Sequence, residues 1–241
     1  MTEQFAAARR SATGTDDGPE MLAVQLSMAC ADVLPVDGAG ISVFSSRTFR
    51  APIGASNAGV AAAERLQFTT GEGPCLTAHA SGDALVASES DMEVRWPVFH
   101  AELVSTTPFR AIASFPLKDG MFGLGALDLY FRAPSLLDGL QWDDAGTVAE
   151  LVAHTLAEQP YRTTLSGEPA PDWLGSPTAD DRTMVSIAMG MLTVAADLDF
   201  VDALAVLRAH AFGTGRTVDA VSADVVHRTL SVDDLDVATA P

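Results

Sequence analysis

The stretch Gly71-Glu72-Gly73-Pro74-Cys75 comes closest to catalytic chemistry in this sequence. A lone thiol in a glycine-rich turn is a nucleophile or a redox sensor when its pKa is lowered. Glu72 stands beside it, however, and a neighbouring anion disfavours the thiolate. The alternative for Cys75 is a small buried apolar group. The string does not match GxxxxGK[ST], and no lysine follows to neutralise a phosphate. Cys75 and His79 are three residues apart, but neither His100 nor His154 forms a second pair of metal-ligand spacing. The other cysteine, Cys30, gives no CxxC and no disulfide framework. No cofactor and no metal are expected.

A second string, Ser186 to Leu192 (SIAMGML), places Gly190 inside a helical pattern. Glycine there costs roughly 1 kcal/mol relative to alanine, because its backbone loses more freedom. Either a neighbouring helix packs closely against Ala188 and Gly190, within the unit or between two copies, or the glycine is simply tolerated.

Elements must position these groups. The 241 residues carry 14 Lys+Arg against 32 Asp+Glu, a net charge of -18 that repels nucleic acid and anionic lipid non-specifically. No apolar run approaches the ~20 residues of a membrane span, and residues 1–18 lack the apolar core of a signal peptide. A cytoplasmic protein with no membrane partner is therefore expected. Residues 1–18 read as a disordered leader. From Glu20, Leu22, Leu26, Ala29 and Val33 share a helical face. A strand follows near 38–46, then a small-residue loop (PIGASNAG) and a short helix from Val60. Further strands are expected within 84–90, 111–120 and 123–134; the last alternates Leu127, Leu129 and Phe131 with Asp128 and Tyr130. A helix carrying Val148, Leu151, Val152 and Leu156 closes an α+β domain over 19–159.

Residues 160–179, with Pro160, Pro169, Pro171 and Pro177, read as a linker on which Trp173 and Leu174 dock against a neighbour. Three amphipathic helices are expected over 180–230. The first has a stripe of Met184, Ile187, Ala188, Met191 and Leu192. The second has Phe200, Leu204, Leu207 and Ala211 behind an Asp199 N-cap, and the third Val218, Val221 and Val225 behind Thr217. Residues 231–241 form an acidic tail.

The helical tail resembles the ANTAR domain, a small RNA-binding module of bacterial antiterminators, through RTMVSIAMGML, DFVDALAVLRAHA and GRTVDAVSADVV. The preceding residues resemble a GAF domain through LQFTTGEGPCLTAHASG, RWPVF, SFPLKDG and GLGALDLYFRAP. The GAF resemblance implies an antiparallel sheet flanked by helices, with Cys75 in a structural turn. It also implies a sensory pocket for an unknown small molecule, near Cys75 and Trp96. Trp96 fills core space or lines that pocket. The ANTAR resemblance implies contact with RNA stem-loops through Arg182, Arg208 and Arg216. It also implies helix packing or dimerisation through Ala188, Gly190, Leu192, Leu204 and Leu207, and a homodimer is expected.

This tail departs from the family pattern. Between Thr178 and Leu230 stand four arginines, seven aspartates and no lysine, and Met189 occupies a position often polar in the family. Two functions follow. One is a non-enzymatic regulator whose sensor controls RNA-directed antitermination. The other is a sensory or dimerisation protein whose tail contacts protein without RNA.

Overall fold

The computed structural model describes residues 1–12, 18–44, 50–119, 122–159, 161–163, 169–171 and 177–235, with backbone alone at 119, 122, 161–163, 169–171 and 177–182. Its centre is a five-stranded antiparallel sheet of β1 (Gly38–Phe44), β2 (Arg50–Ala55), β3 (Leu85–Ser88), β4 (Ala111–Asp119) and β5 (Phe122–Phe131), in the order β2-β1-β5-β4-β3. The α+β class expected of this region is the one found.

Each face of the sheet is covered. On one side Ile41, Leu127, Leu129, Phe131, Ala113 and Phe115 pack against α1 (Thr2–Ala12), α2 (Leu22–Val33) and α7 (Trp142–Ala157), burying Phe5, Leu26, Val148 and Val152. On the other lie α3 (Ala58–Thr70), α4 (Pro74–Ser81), α5 (Glu89–Arg95) and α6 (Pro97–Thr106). There Val60, Met92, Trp96, Phe99, Leu103, Phe109, Ile112 and Tyr130 form a second apolar cluster.

Local chemistry sets the helix ends. Asn57 caps α3 by accepting from the Val60 amide, and Gly71 ends it in the left-handed region at φ 72°. Ser88 and Asp91 form a reciprocal capping box on α5. Proline opens both α4 and α6 at positions whose amides need no intrahelical partner.

Three segments expected to be irregular carry regular structure. Residues 2–12 of the expected disordered leader form α1, because Phe5 and Ala8 bury against the core. The small-residue loop contains part of β2: Pro52 sits on this edge strand, where the ladder asks least of its missing N–H, and the register skips Ile53. Within the expected linker, β6 (Tyr161–Thr163) pairs with β7 (Pro169–Pro171), and α8 (Pro177–Ala196) begins before 180. Trp173 and Leu174 lie outside the described residues.

The C-terminal helices are α8, α9 (Phe200–Gly213) and α10 (Val218–Val226). Asp199 Oδ1 accepts from the Val201 and Asp202 amides, and Thr217 from that of Ala220. Ala188, Leu192, Leu204 and Leu207 meet in a core with Val185, Met189, Ala203, Val218 and Val221. The stripe on α8 is rotated from the expected one: Ile187 is exposed, whereas Val185 and Met189 are buried. Phe200 is likewise exposed. Leu235, in the expected tail, joins this core.

Gly190 departs furthest from close packing, since a Cβ there meets nothing within 4 Å. The expected contact within the unit is thus corrected. With a helical backbone and open space, Gly190→Ala should stabilise the protein by about 1 kcal/mol. A urea titration checks this; destabilisation would show that something packs on Gly190. Among the described residues no single helix is long and apolar enough to cross a membrane.

Candidate functional site

The side of the sheet facing α3 carries an unusual load of buried polar groups. Strand alternation points Ser42, Ser114 and Asp128 to this side, and Ser114 and Asp128 are direct cross-strand partners. Above them, Glu64 and Gln67 project one turn apart from α3. Arg50 enters from the edge strand. All six are buried.

Their bonds form one network. Arg50 pairs with the Glu64 carboxylate through Nη2 and donates from Nη1 to the Glu64 backbone carbonyl at 2.7 Å. The Glu64 carboxylate also accepts from Ser42 Oγ at 2.6 Å and Tyr130 OH at 2.7 Å. Gln67 Nε2 donates to Asp128 Oδ2 at 2.6 Å, and Gln67 Oε1 accepts from the Cys75 amide at 3.0 Å. Ser114 Oγ donates to Asp128 Oδ1. Gly40 leaves room for this arrangement, because a Cβ there would fall 2.5 Å from Glu64 Oε1.

The charges follow from these contacts. Burial opposes the Arg50 charge, but the facing Cys75, Glu64, Asp128 and Tyr130 raise its pKa overall. Asp128 is pushed well up by burial and then by the Glu64 charge, against the pull of Arg50. Its native form therefore holds a proton more tightly than the unfolded chain. That contribution is complete below the ordinary value of 3.8 and is lost as pH rises through the raised native value. Asp128→Asn removes the titration, so its stability relative to wild type should rise from about pH 5 to about pH 8. Urea midpoints at the two pH values decide; a constant difference would contradict the assignment.

Cys75 lies at the margin of this network, fully buried, with its thiol pushed up chiefly by burial. It is a packed thiol in the first turn of helix α4, not in the loop turn expected from the sequence. The Glu72 carboxylate is held at the start of α6, its Oε1 accepting from the Val98 and Phe99 amides at 2.9 Å each. Trp96 is 7% exposed with the Arg95 guanidinium 4.3 Å above its ring. Trp96 lines an open groove of 470 Å³ with Gly71, Gly73, Leu76 and Thr77. Among the described residues lining this groove Cys75 is absent, so the groove does not join the two expected pocket residues. His79 stacks on Phe44 at 3.9 Å, and burial lowers its pKa. His100 faces Glu89 at 3.7 Å and His154 faces Glu158 at 3.2 Å. Among the described residues no group of three or more His, Cys, Asp or Glu side chains is arranged to hold a metal.

The basic residues of the tail are separated. Arg208 reaches across to α3: its Nε donates to the Phe68 carbonyl at 2.9 Å, and its guanidinium lies 5.1 Å from the Phe68 ring. A cation is thereby set against the last carbonyls of α3, where the helix dipole favours it. Burial, with the Arg50 charge, lowers the Arg208 pKa to about 10, so it remains charged at neutral pH. Beside it, the Val218 amide donates to Thr69 Oγ1 at 3.4 Å. Arg216 instead bonds the Asp224 carboxylate at 2.5 Å and the Ala220 carbonyl at 3.2 Å. The Arg182 side chain lies outside the described residues.

Sequence reasoning missed Arg50, Ser42, Glu64, Gln67 and Ser114 as a group. One signal was present: Asp128 interrupts an apolar strand whose alternate face also carries Tyr130.

No protein-family model matches the chain, and neither does any curated protein. Among solved structures it is similar to a domain assigned to a two-component sensor histidine kinase protein from Sinorhizobium meliloti 1021, at TM-score 0.43 and 17% identity, over 59% of this chain and 92% of that one. It is also similar to the chromophore-binding domain of an unusual bacteriophytochrome from R. palustris, at TM-score 0.38 and 12% identity, over 64% of this chain and 58% of that one. The Stigmatella aurantiaca phytochrome photosensory core module gives TM-score 0.37 and 12% identity, over 85% and 44%. At these identities and TM-scores the likenesses leave the reading of the chain to its own residues.

Proposed function

We propose that this chain is a cytoplasmic, non-enzymatic regulator in which a GAF-type sensor governs an ANTAR-like helical output by holding it docked. The supporting observation is the contact of Arg208 with the Phe68 carbonyl and ring. It commits to the sensor an arginine that the motif resemblance assigns to RNA. In this reading the docked state withholds the output, and a signal at the sensor that displaces Arg208 frees it. The output target is structured RNA and its consequence antitermination, as the tail motifs suggest. Residues Arg208 and Arg216 are the proposed contacts among the described side chains.

Recovery of RNA crosslinked to the protein in its own cells tests this reading, with an Arg208→Ala/Arg216→Ala variant as control. Enrichment of paired stem-loops in leader regions, lost in the control, is expected. A folded, abundant protein that enriches none would overturn the RNA target. A second reading, in which the tail contacts protein, is favoured by the exposed Ile187, Val194, Phe200, Val201 and Phe212 on the same helices.

A further inference from the structure

The corner between α8 and α9 exposes what a core helix pair would hide. Val194 is 87% exposed in the last turn of α8, and Phe200 and Val201, opening α9, are 58% and 56% exposed. The two helices bend by 107° across the corner, so these side chains flank a projecting edge. Asp197 sits in the turn at φ 52°, a conformation that costs a non-glycine residue energy. Asp199 and Asp202 follow at the start of α9. From Thr183 to Leu207 the chain carries three aspartates, Asp197, Asp199 and Asp202, and no lysine or arginine, so the charge this stretch itself sets beside the apolar edge is negative.

We propose that this corner is a docking site for a protein partner that offers an apolar helical face flanked by lysine and arginine. The aspartates select the occupant. A second copy would bring the same three carboxylates against these three, and like-charge juxtaposition suppresses such a pairing. Phosphate backbones and anionic lipids are repelled in the same way. Basic flanks gain attraction, and Phe200 supplies the aromatic anchor that such interfaces concentrate their energy on. The proposal deepens the protein-contact reading and rests on the three helices acting as an output. Loss of RNA recovery would leave it standing, and failure at this corner would leave the RNA reading standing.

The test uses the full chain and three synthetic helical peptides. One carries an apolar leucine face flanked by lysine and arginine, the second the same face flanked by glutamate, and the third the basic composition scrambled so that no face forms. The first should bind saturably, at least about tenfold more tightly than the other two, and more weakly as salt rises. Phe200→Ser/Val201→Ser, which alters exposed side chains and leaves Asp199 in place, should reduce that binding at least about tenfold without changing the thermal midpoint. Equal binding of the basic and scrambled peptides would overturn the proposal, as would binding indifferent to the two substitutions. Wild-type chain that dimerises through these residues in sedimentation would overturn it in favour of a second copy.

Discussion

Glu64→Ala should destabilise the protein by about 3–5 kcal/mol, because it strands the Arg50 guanidinium in the interior. Only the bond from Nη1 to the Glu64 carbonyl would remain to it among those described above. Ser42 and Tyr130 would each lose the carboxylate oxygen that accepts their hydroxyl. Arg50→Met/Glu64→Leu should recover most of that loss, since an apolar pair of similar volume avoids dehydrating two charges. Urea unfolding of both variants separates the explanations. If the double variant were as unstable as Glu64→Ala, packing around α3 would outweigh the charge pair.

The second large effect is on docking. Arg208→Ala removes a charge-assisted bond and a ring contact together. It should weaken attachment of α9 and α10 by about 2 kcal/mol, roughly a 30-fold rise in opening. Gly71→Asn should have a similar effect while keeping the arginine. Asparagine tolerates the left-handed backbone at φ 72° better than most residues, and its Cβ would stand 2.9 Å from Arg208 Nη1. The end of a flexible side chain yields first, so Arg208 is displaced and the helix end survives. Amide exchange at Val218 and along α9 reports the opening. Unchanged exchange in both variants would mean that apolar contacts alone hold the helices.

The sheet and most helices were legible because their signals are local. Leu127, Leu129 and Phe131 alternate as a half-buried strand does, and Asp199 and Thr217 mark helix starts by a mechanism that acts within three residues. Strand β2 was hidden by its composition, Arg-Ala-Pro-Ile-Gly-Ala, which matches turn chemistry until a neighbouring strand supplies the ladder. Helix α8 is apolar on more than one side, so Ile187 and Val185 compete equally for the core, and only the packing of α9 and α10 decides. The polar network was illegible for a different reason. Glu64 and Asp128 lie 64 residues apart, and a carboxylate on a helix or strand normally faces water. Their burial depends on Arg50, Gln67 and two serines arriving at one place, a tertiary fact with no local spacing. Arg208 is the same case across units: it directly follows Leu207 of the apolar stripe, but nothing local in the sequence names its partner on α3.

Titration of one crosslink-recovered stem-loop RNA against wild type, Gly71→Asn and Arg208→Ala, at a single fixed salt concentration, decides whether docking withholds the output. If docking withholds the output, Gly71→Asn binds at least about tenfold more tightly than wild type and Arg208→Ala more weakly than Gly71→Asn. Equal affinities in all three, with amide exchange showing α9 released in Gly71→Asn, would contradict it.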